Sequence, residues 1–255
     1  MSAHPGQQTT HIATATREDI FVRGKSLCTE LIGKLSFTEM TYFQVTARMP
    51  TAGQTAVLDA CLVTLMEHGM TPSAIVSRLV YSSAPEAVQA AVAAGLLGVG
   101  SVFVGTVEGC AALLGRIAAA GDPMDAEAAR IVQDHRAAGS AVPGFGHPLH
   151  KPDDPRSECI LGIAASRGVA GRHVAALRAL AAAVDAGHGK HITINATGAI
   201  AAALADAGVP VEIMRGFALI ARCAGLVGHV HEEQHSPSLR PIWEAAERAV
   251  PYEEV

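Results

Sequence analysis

With 255 residues, 49% of them hydrophobic, the chain is long enough for one large globular domain or a core domain with a smaller lobe. Its formal net charge of −5 and the lack of any basic run argue against a nucleic-acid-binding protein. Aromatic residues make up only 4% of the chain, so Ala, Leu, Val and Ile must fill the core, and Ala is the strongest helix former.

Residues 1–20 read as a loose tail rich in His and Thr, polar and without the apolar run of a signal peptide. From Thr51 to His68, Val57, Leu58, Cys61, Leu62, Leu65 and Met66 recur at helical spacing and predict a helix with one buried face. Gly69 stops it, and Thr71-Pro72 starts the next, with Pro early in the helix. Ser83 followed by Glu86 predicts a capping box for a helix through Leu97. Ala87 to Val107 carries no charge and is long enough to cross a bilayer, but Gly95, Gly98 and Gly100 interrupt it. A buried helix pair is the expectation there, without a membrane.

A further helix is expected from about Gly105 to Ala120, followed by a break at Gly121-Asp122-Pro123 that marks a domain boundary. A short helix then runs to about Ala138, and a loop follows with Pro143, Gly144, Gly146 and Pro148. Asp154-Pro155 caps the next helix, and others are expected near 172–186, 192–207, 211–231 and 240–249. No stretch alternates as a strand should, so the predicted class is all-α. The expected domains are 1–120 with 209–255 (large) and 121–208 (small). The five cysteines (Cys28, Cys61, Cys110, Cys159, Cys223) are odd in number, widely spaced and free of CxxC pairs. That usage points to reduced thiols, no metal and a cytoplasmic location.

Chemistry concentrates in Val142-Pro143-Gly144-Phe145-Gly146-His147-Pro148, continuing through Lys151 to Asp154-Pro155-Arg156. Its glycines permit backbone shapes closed to other residues and are expected to leave main-chain N–H groups free for a ligand. His147 closes the loop, with Lys151 and Arg156 as nearby cations. By itself such a loop is equally a helix-connecting turn. His68 ends a helix, where the dipole favours a protonated imidazole suited to polarising a carbonyl. Arg156, Arg222 and Arg240 offer planar forks for several carboxylates. Arg222 lies among Phe217, Leu219, Ile220 and Leu226, where a charge needs a partner or a ligand.

The string from Pro143 to Arg156 resembles the PGFGH…DPR signature of citrate synthases and of the citryl-CoA-cleaving enzymes related to ATP-citrate lyase. The resemblance continues in Val22-Arg23-Gly24, Ser36 to Tyr42, Met49-Pro50-Thr51 and Glu67-His68-Gly69-Met70-Thr71-Pro72-Ser73. It extends to Arg222 with His229 and Glu233, and to Ser238-Leu239-Arg240-Pro241. The shortness of the chain resembles the stand-alone citryl-CoA lyases more than the full-length synthases.

That resemblance implies a two-lobed helical fold, a homodimer or larger homo-oligomer, and coenzyme A as part of the substrate. It implies catalytic roles for His68 and His147 and carboxylate binding by Arg156, Arg222 and, across subunits, Arg240. Pro143, Gly144, Phe145, Gly146 and Lys151 would hold coenzyme A, and Asn195 would contact substrate. Two features depart from the pattern. Thr197 stands where the family's catalytic Asp belongs, and Thr cannot ionise near neutral pH. The region Val102-Phe103-Val104-Gly105 lacks the substrate-binding His of citrate synthases. Three readings follow: citryl-CoA lyase-type cleavage, a related acyl-CoA enzyme with another substrate, or a CoA-thioester-binding regulatory protein without catalysis.

Overall fold

A computed structural model describes residues 8–100, 102 and 106–254. Most of the segment Val102–Gly105, read above for its missing His, and the predicted helix start at Gly105 lie outside the described residues. The chain opens with a three-stranded antiparallel sheet, β1 (Ala13–Ala15), β2 (Ile20–Val22) and β3 (Lys25–Ser26), with β2 in the centre. The absence of strands is therefore corrected, and so is the loose tail within residues 8–20, while its residues 1–7 lie outside the described residues. Each strand has three residues or fewer, and β1 is exposed throughout, so no apolar alternation betrays it.

Helices build the rest: α1 (Phe37–Thr46), α2 (Ala52–Met66), α3 (Pro72–Ser83), α4 (Val88–Leu97), α5 (Thr106–Ala119), α6 (Asp125–Ala137), α7 (Pro155–Ser166), α8 (Arg172–His188), α9 (Ala196–Asp206), α10 (Met214–His235) and α11 (Leu239–Ala249). Their starts follow from side-chain chemistry. Ser36 and Thr51 form reciprocal capping boxes with Glu39 and Gln54, and Pro72 and Pro155 open α3 and α7. The box predicted at Ser83 and Glu86 is not formed. Ser83 is the last residue of α3, its hydroxyl donates to Leu79 O, and α4 begins after Ala87 without a side-chain cap. Of the uncharged stretch, Val88–Leu97 forms α4, and only Thr106 and Val107 belong to α5. The segment Val211–His235 is long and apolar enough to span a membrane by length and composition alone. In the fold it packs against α2, α3 and α4 and buries Arg222 and Glu233.

The main core joins α2, α5, α6, α7, α8, α9 and α10 around side chains such as Leu58, Leu114, Ile131, Leu177, Leu204 and Phe217. Truncating a fully buried Leu such as Leu204 to Ala would cost about 2–5 kcal/mol. α9 is the central helix. Residues 198–204 are buried all round, and their Ala and Gly content lets α2, α5, α7 and α8 close on it. The first turn of α9 is therefore rigidly placed, and it carries Thr197.

Candidate active site

A cavity of about 810 Å³ opens where the α2–α3 turn, the 141–149 loop and the starts of α7 and α9 meet α10. His68, His147, Arg156, Asn195, Thr197, Arg222, Pro143, Gly144, Phe145 and Gly146 all line it. Lys151 and Arg240 do not line it: Lys151 is exposed, and Arg240 is exposed and pairs with Glu244 at 3.3 Å. No Asp or Glu is among the described lining residues.

Arg156 is held by Asp154, which is 1% exposed. Asp154 Oδ1 accepts from Arg156 Nε at 3.0 Å, and Oδ2 accepts from Arg156 Nη2 at 2.8 Å. The same carboxylate caps α7 through the Arg156 N–H and accepts the Ala196 N–H at the start of α9 at 3.1 Å. Burial alone would raise the Asp154 pKa, but the Arg156 guanidinium and these N–H groups hold it below the usual carboxylate range. Sequence reading took Asp154 only as a cap. Its grip on α9 comes from a residue 42 positions away, which no local pattern signals.

His147 Nδ1 accepts the backbone N–H groups of Leu149 at 3.1 Å and His150 at 2.9 Å. That network assigns the ring proton to Nε2, on the Arg156 side. Burial, with the neighbouring His150 and Arg156, lowers the His147 pKa and so favours the neutral ring. His68 follows the end of α2 and its C-cap Glu67. The helix end favours a protonated imidazole there, but burial first, then the charges of Arg156 and Arg222, lower its pKa. The carbonyl ends of α2 are outweighed by two cations and desolvation. Both imidazoles remain competent as neutral hydrogen-bond donors.

Arg222 is 4% exposed, and its Nε and Nη1 find no hydrogen-bond partner among the described residues. Burial lowers its pKa, opposed by the charge of Glu67. An unsatisfied buried guanidinium facing a cavity calls for an anion.

The glycine loop is pinned to the strand-like segment before α9. Gly146 N–H donates to Thr193 O at 2.8 Å and Asn195 N–H to Gly144 O at 3.1 Å, with a bridge between Phe145 and Ile194. The expected free N–H groups are corrected at Gly146, whose N–H is used internally. Asn195 is committed at both ends of its amide, capping Gly198 N–H at 3.2 Å and donating to Gly146 O at 2.9 Å. Neither Gly144, at φ 93°, nor Gly198 tolerates a side chain: a Cβ on Gly144 would meet Cys110 Sγ at 2.6 Å, and one on Gly198 would meet Gly144 O at 2.6 Å. At the position of the family's Asp, Thr197 Oγ1 is 3.5 Å from Thr106 Oγ1, a partner that sequence reading did not name.

Among the described residues, no group of three or more His, Cys, Asp or Glu could hold a metal ion. Similarity to known proteins covers the whole architecture. The structure of citryl-CoA lyase from Hydrogenobacter thermophilus superposes with a TM-score of 0.87 at 29% identity, over 97% of this chain and 95% of that one. ATP citrate lyase from Methanothrix soehngenii, solved with citrate and coenzyme A, shares the fold at a TM-score of 0.81 and 18% identity, over 100% of this chain and 43% of that one. "Putative citrate synthase 2" of Mycobacterium tuberculosis is 30% identical over 186 residues, 69% of this chain. The chain spans about half the length (47%) of such curated relatives. The family model for the citrate synthase C-terminal domain matches residues 7–242, and the chain belongs to the citrate synthase family.

Proposed function

We propose that the protein is a citryl-CoA lyase-like enzyme, cleaving a polycarboxylate CoA thioester reversibly to acetyl-CoA and a 2-oxo acid such as oxaloacetate. The observation that carries this reading is the convergence of Arg156, Arg222, His147 and His68 on one cavity whose described lining holds no carboxylate. Two guanidinium groups suit a substrate with several carboxylates. The likeness to citryl-CoA lyase over nearly the full length of both chains supports the same reaction class.

In this reading Arg156 and Arg222 hold carboxylates, and His147 Nε2–H donates to the oxygen that becomes the oxo-acid carbonyl. His68 donates to the thioester oxygen as it takes up enolate charge. Cleavage breaks the carbon–carbon bond, and its electron pair becomes the acetyl-CoA enolate. The alcohol gives up its proton to solvent, and the enolate carbon takes one from solvent, so the proton count is unchanged. In the reverse, condensing direction a C–H proton must leave, and because Thr197 supplies no base, solvent takes that proton as it gave it in cleavage.

The cavity takes His68 from residues 1–120 and Arg222 from 209–255, and the 141–149 loop, Arg156 and Thr197 from the segment between them. That supports the division into a large lobe (1–120 and 209–255) and a small lobe (121–208) closing on ligand. The exposed position of Arg240 outside its own cavity supports a homo-oligomer in which it serves a partner. A cytoplasmic location belongs to the same proposal.

The absence of a carboxylate from the described lining residues also favours a second reading, a CoA-thioester-binding regulatory protein. Incubating the purified protein with citryl-CoA and following oxaloacetate release separates the two. Release supports the lyase. Thermal stabilisation by coenzyme A without release supports the regulatory protein.

A further inference from the structure

We propose that Glu67, His229 and Arg78 are positioning residues that hold His68 at the cavity. Along α10, Arg222, Gly225, His229 and Glu233 follow one another at spacings of three and four, so they share one face. Arg222 meets the cavity. Any Cβ at Gly225 would collide with Met66 O, so α10 lies directly against the end of α2. His229 and Glu233 then carry a chain of polar contacts that ends at His68.

Glu67 is the C-cap of α2, and its carboxylate turns back on the peptide groups that flank His68. Oε1 accepts the N–H of His68 at 2.7 Å and of Gly69 at 2.6 Å. Gly69 has φ 72°, and its carbonyl accepts Thr71 N–H at 2.7 Å, so the turn beyond His68 is fixed as well. Glu67 Oε2 stands 3.0 Å from His229 Nε2, an oblique polar contact rather than an aligned hydrogen bond. His229 Nδ1 accepts from Arg78 Nε at 2.9 Å, which leaves the imidazole proton on Nε2, facing Glu67.

Arg78 is 4% exposed, ion-paired to Glu232 and, at 3.1 Å, to Glu233 Oε2. Glu233 is 2% exposed and also accepts from Ser82 Oγ, Ser238 N and Ser238 Oγ at 2.7, 2.7 and 2.6 Å. A carboxylate, an imidazole and a guanidinium, each with its hydrogen-bonding role set by the next, thus run from a buried anchor to the backbone of His68. Ending a helix requires nothing of this kind, since a glycine beyond the last turn suffices. The array fits a site that needs one imidazole in one place.

The proposal rests on the reading of His68 as the group that faces the thioester oxygen, and its test separates the two. Glu67→Gln keeps shape but sets an NH₂ against either His229 Nε2–H or the two backbone N–H groups. His229→Leu removes the link. His229→Gln preserves it, because an amide oxygen can accept from Arg78 while its NH₂ donates to Glu67. In citryl-CoA cleavage, Glu67→Gln and His229→Leu should lower kcat by about 10²-fold, the scale of a small misplacement of a reacting group. KM should change little, and His229→Gln should stay near wild type.

Nitrogen-15 NMR of the His68 ring in the ligand-free protein gives a readout independent of turnover. Wild type and His229→Gln should show one tautomer, and Glu67→Gln a mixture. An inactive wild type would sink the lyase reading alone, and the NMR comparison would still decide the positioning role. Unchanged kcat and an unchanged His68 spectrum in Glu67→Gln would overturn the proposal, as would equal losses in folded His229→Gln and His229→Leu. Should His229→Leu not fold, Glu67→Gln against His229→Gln decides.

Discussion

Arg156 Nη2 stands 3.3 Å from His147 Nε2, and hydrogen-bond accounting puts a hydrogen on each nitrogen. Two donors facing one another without an acceptor are mutually unfavourable, and an oxygen anion placed between them would satisfy both. Arg156→Ala is therefore expected to weaken polycarboxylate binding by roughly 2–5 kcal/mol, as when one partner of a desolvated charge pair is removed. Arg222→Ala should act similarly, since its buried Nε and Nη1 await a partner. Calorimetry should show lost affinity for the polycarboxylate with coenzyme A binding preserved. Equal loss of both ligands in a folded variant would contradict the assignment.

Acid stability should reveal the Glu233 anchor. Burial would raise its pKa, but donors from Ser238, Ser82 and Arg78 hold it at about 2, against an ordinary value of 4.5. A depressed carboxylate pKa means that the folded state binds the proton less well than the unfolded chain. The stabilisation is complete above pH 4.5 and is lost as the pH falls towards about 2. Urea midpoints of the wild type should fall across that window. Glu233→Gln should start lower and fall less steeply, and parallel curves would show that Glu233 contributes nothing to the acid transition.

The approach of Gly144 and Gly198 gives a test of how the loop is held. A Cβ on Gly198 would lie 2.6 Å from Gly144 O and 3.2 Å from Ile194 Cγ2, and a backbone oxygen cannot swing aside. Gly198→Ala should destabilise by about 1–3 kcal/mol, the usual cost of overpacking, and should displace the loop enough to weaken coenzyme A binding. Gly162 in α7 is the control, because a Cβ there meets nothing within 4 Å. Gly162→Ala should stabilise by about 0.4–1 kcal/mol through the unfolded chain. Thermal melts and coenzyme A titrations of both variants check this.

What the sequence made legible was chiefly what local chemistry decides. Thr51, Pro72, and Asp154 with Pro155 mark helix starts that the structure places within a residue or two. Ser83 misled because a Ser three residues before a Glu is also compatible with a helix end, and its hydroxyl bonds backwards to Leu79 O. The sheet at residues 13–26 was illegible because its strands are too short and exposed to show a period. At the site, His68, His147, Arg156 and Arg222 were each legible, but their protonation was not. The lowered pKa of His68 comes from burial and from Arg156 and Arg222, all of which reach it only through the tertiary fold. The contacts of Asp154 with Ala196, of Thr106 with Thr197 and of Arg78 with His229 are equally products of long-range packing.

Thr197 offers the sharpest test of the functional reading. It occupies the second position of α9, whose N-terminus is fixed by Asn195 and by the bond from Ala196 N–H to Asp154. An Asp at that point gains from the helix dipole by about 0.3–1 kcal/mol, so Thr197→Asp should fold. Arg156 and Arg222 line the same cavity and favour its ionised form. The new carboxylate would supply the base that Thr197 cannot. If His68 is placed to stabilise an enolate, exchange of the acetyl-CoA methyl hydrogens with deuterated water should rise by about 10²-fold, the low end of what a positioned base contributes. Exchange isolates the C–H step. Citryl-CoA cleavage on the same variant then shows which step limits turnover: a parallel rise points to proton transfer, and an unchanged rate points to carbon–carbon bond breaking. A folded Thr197→Asp protein that binds coenzyme A yet exchanges no faster would mean that His68 does not face the thioester oxygen, and the lyase reading would have to be given up.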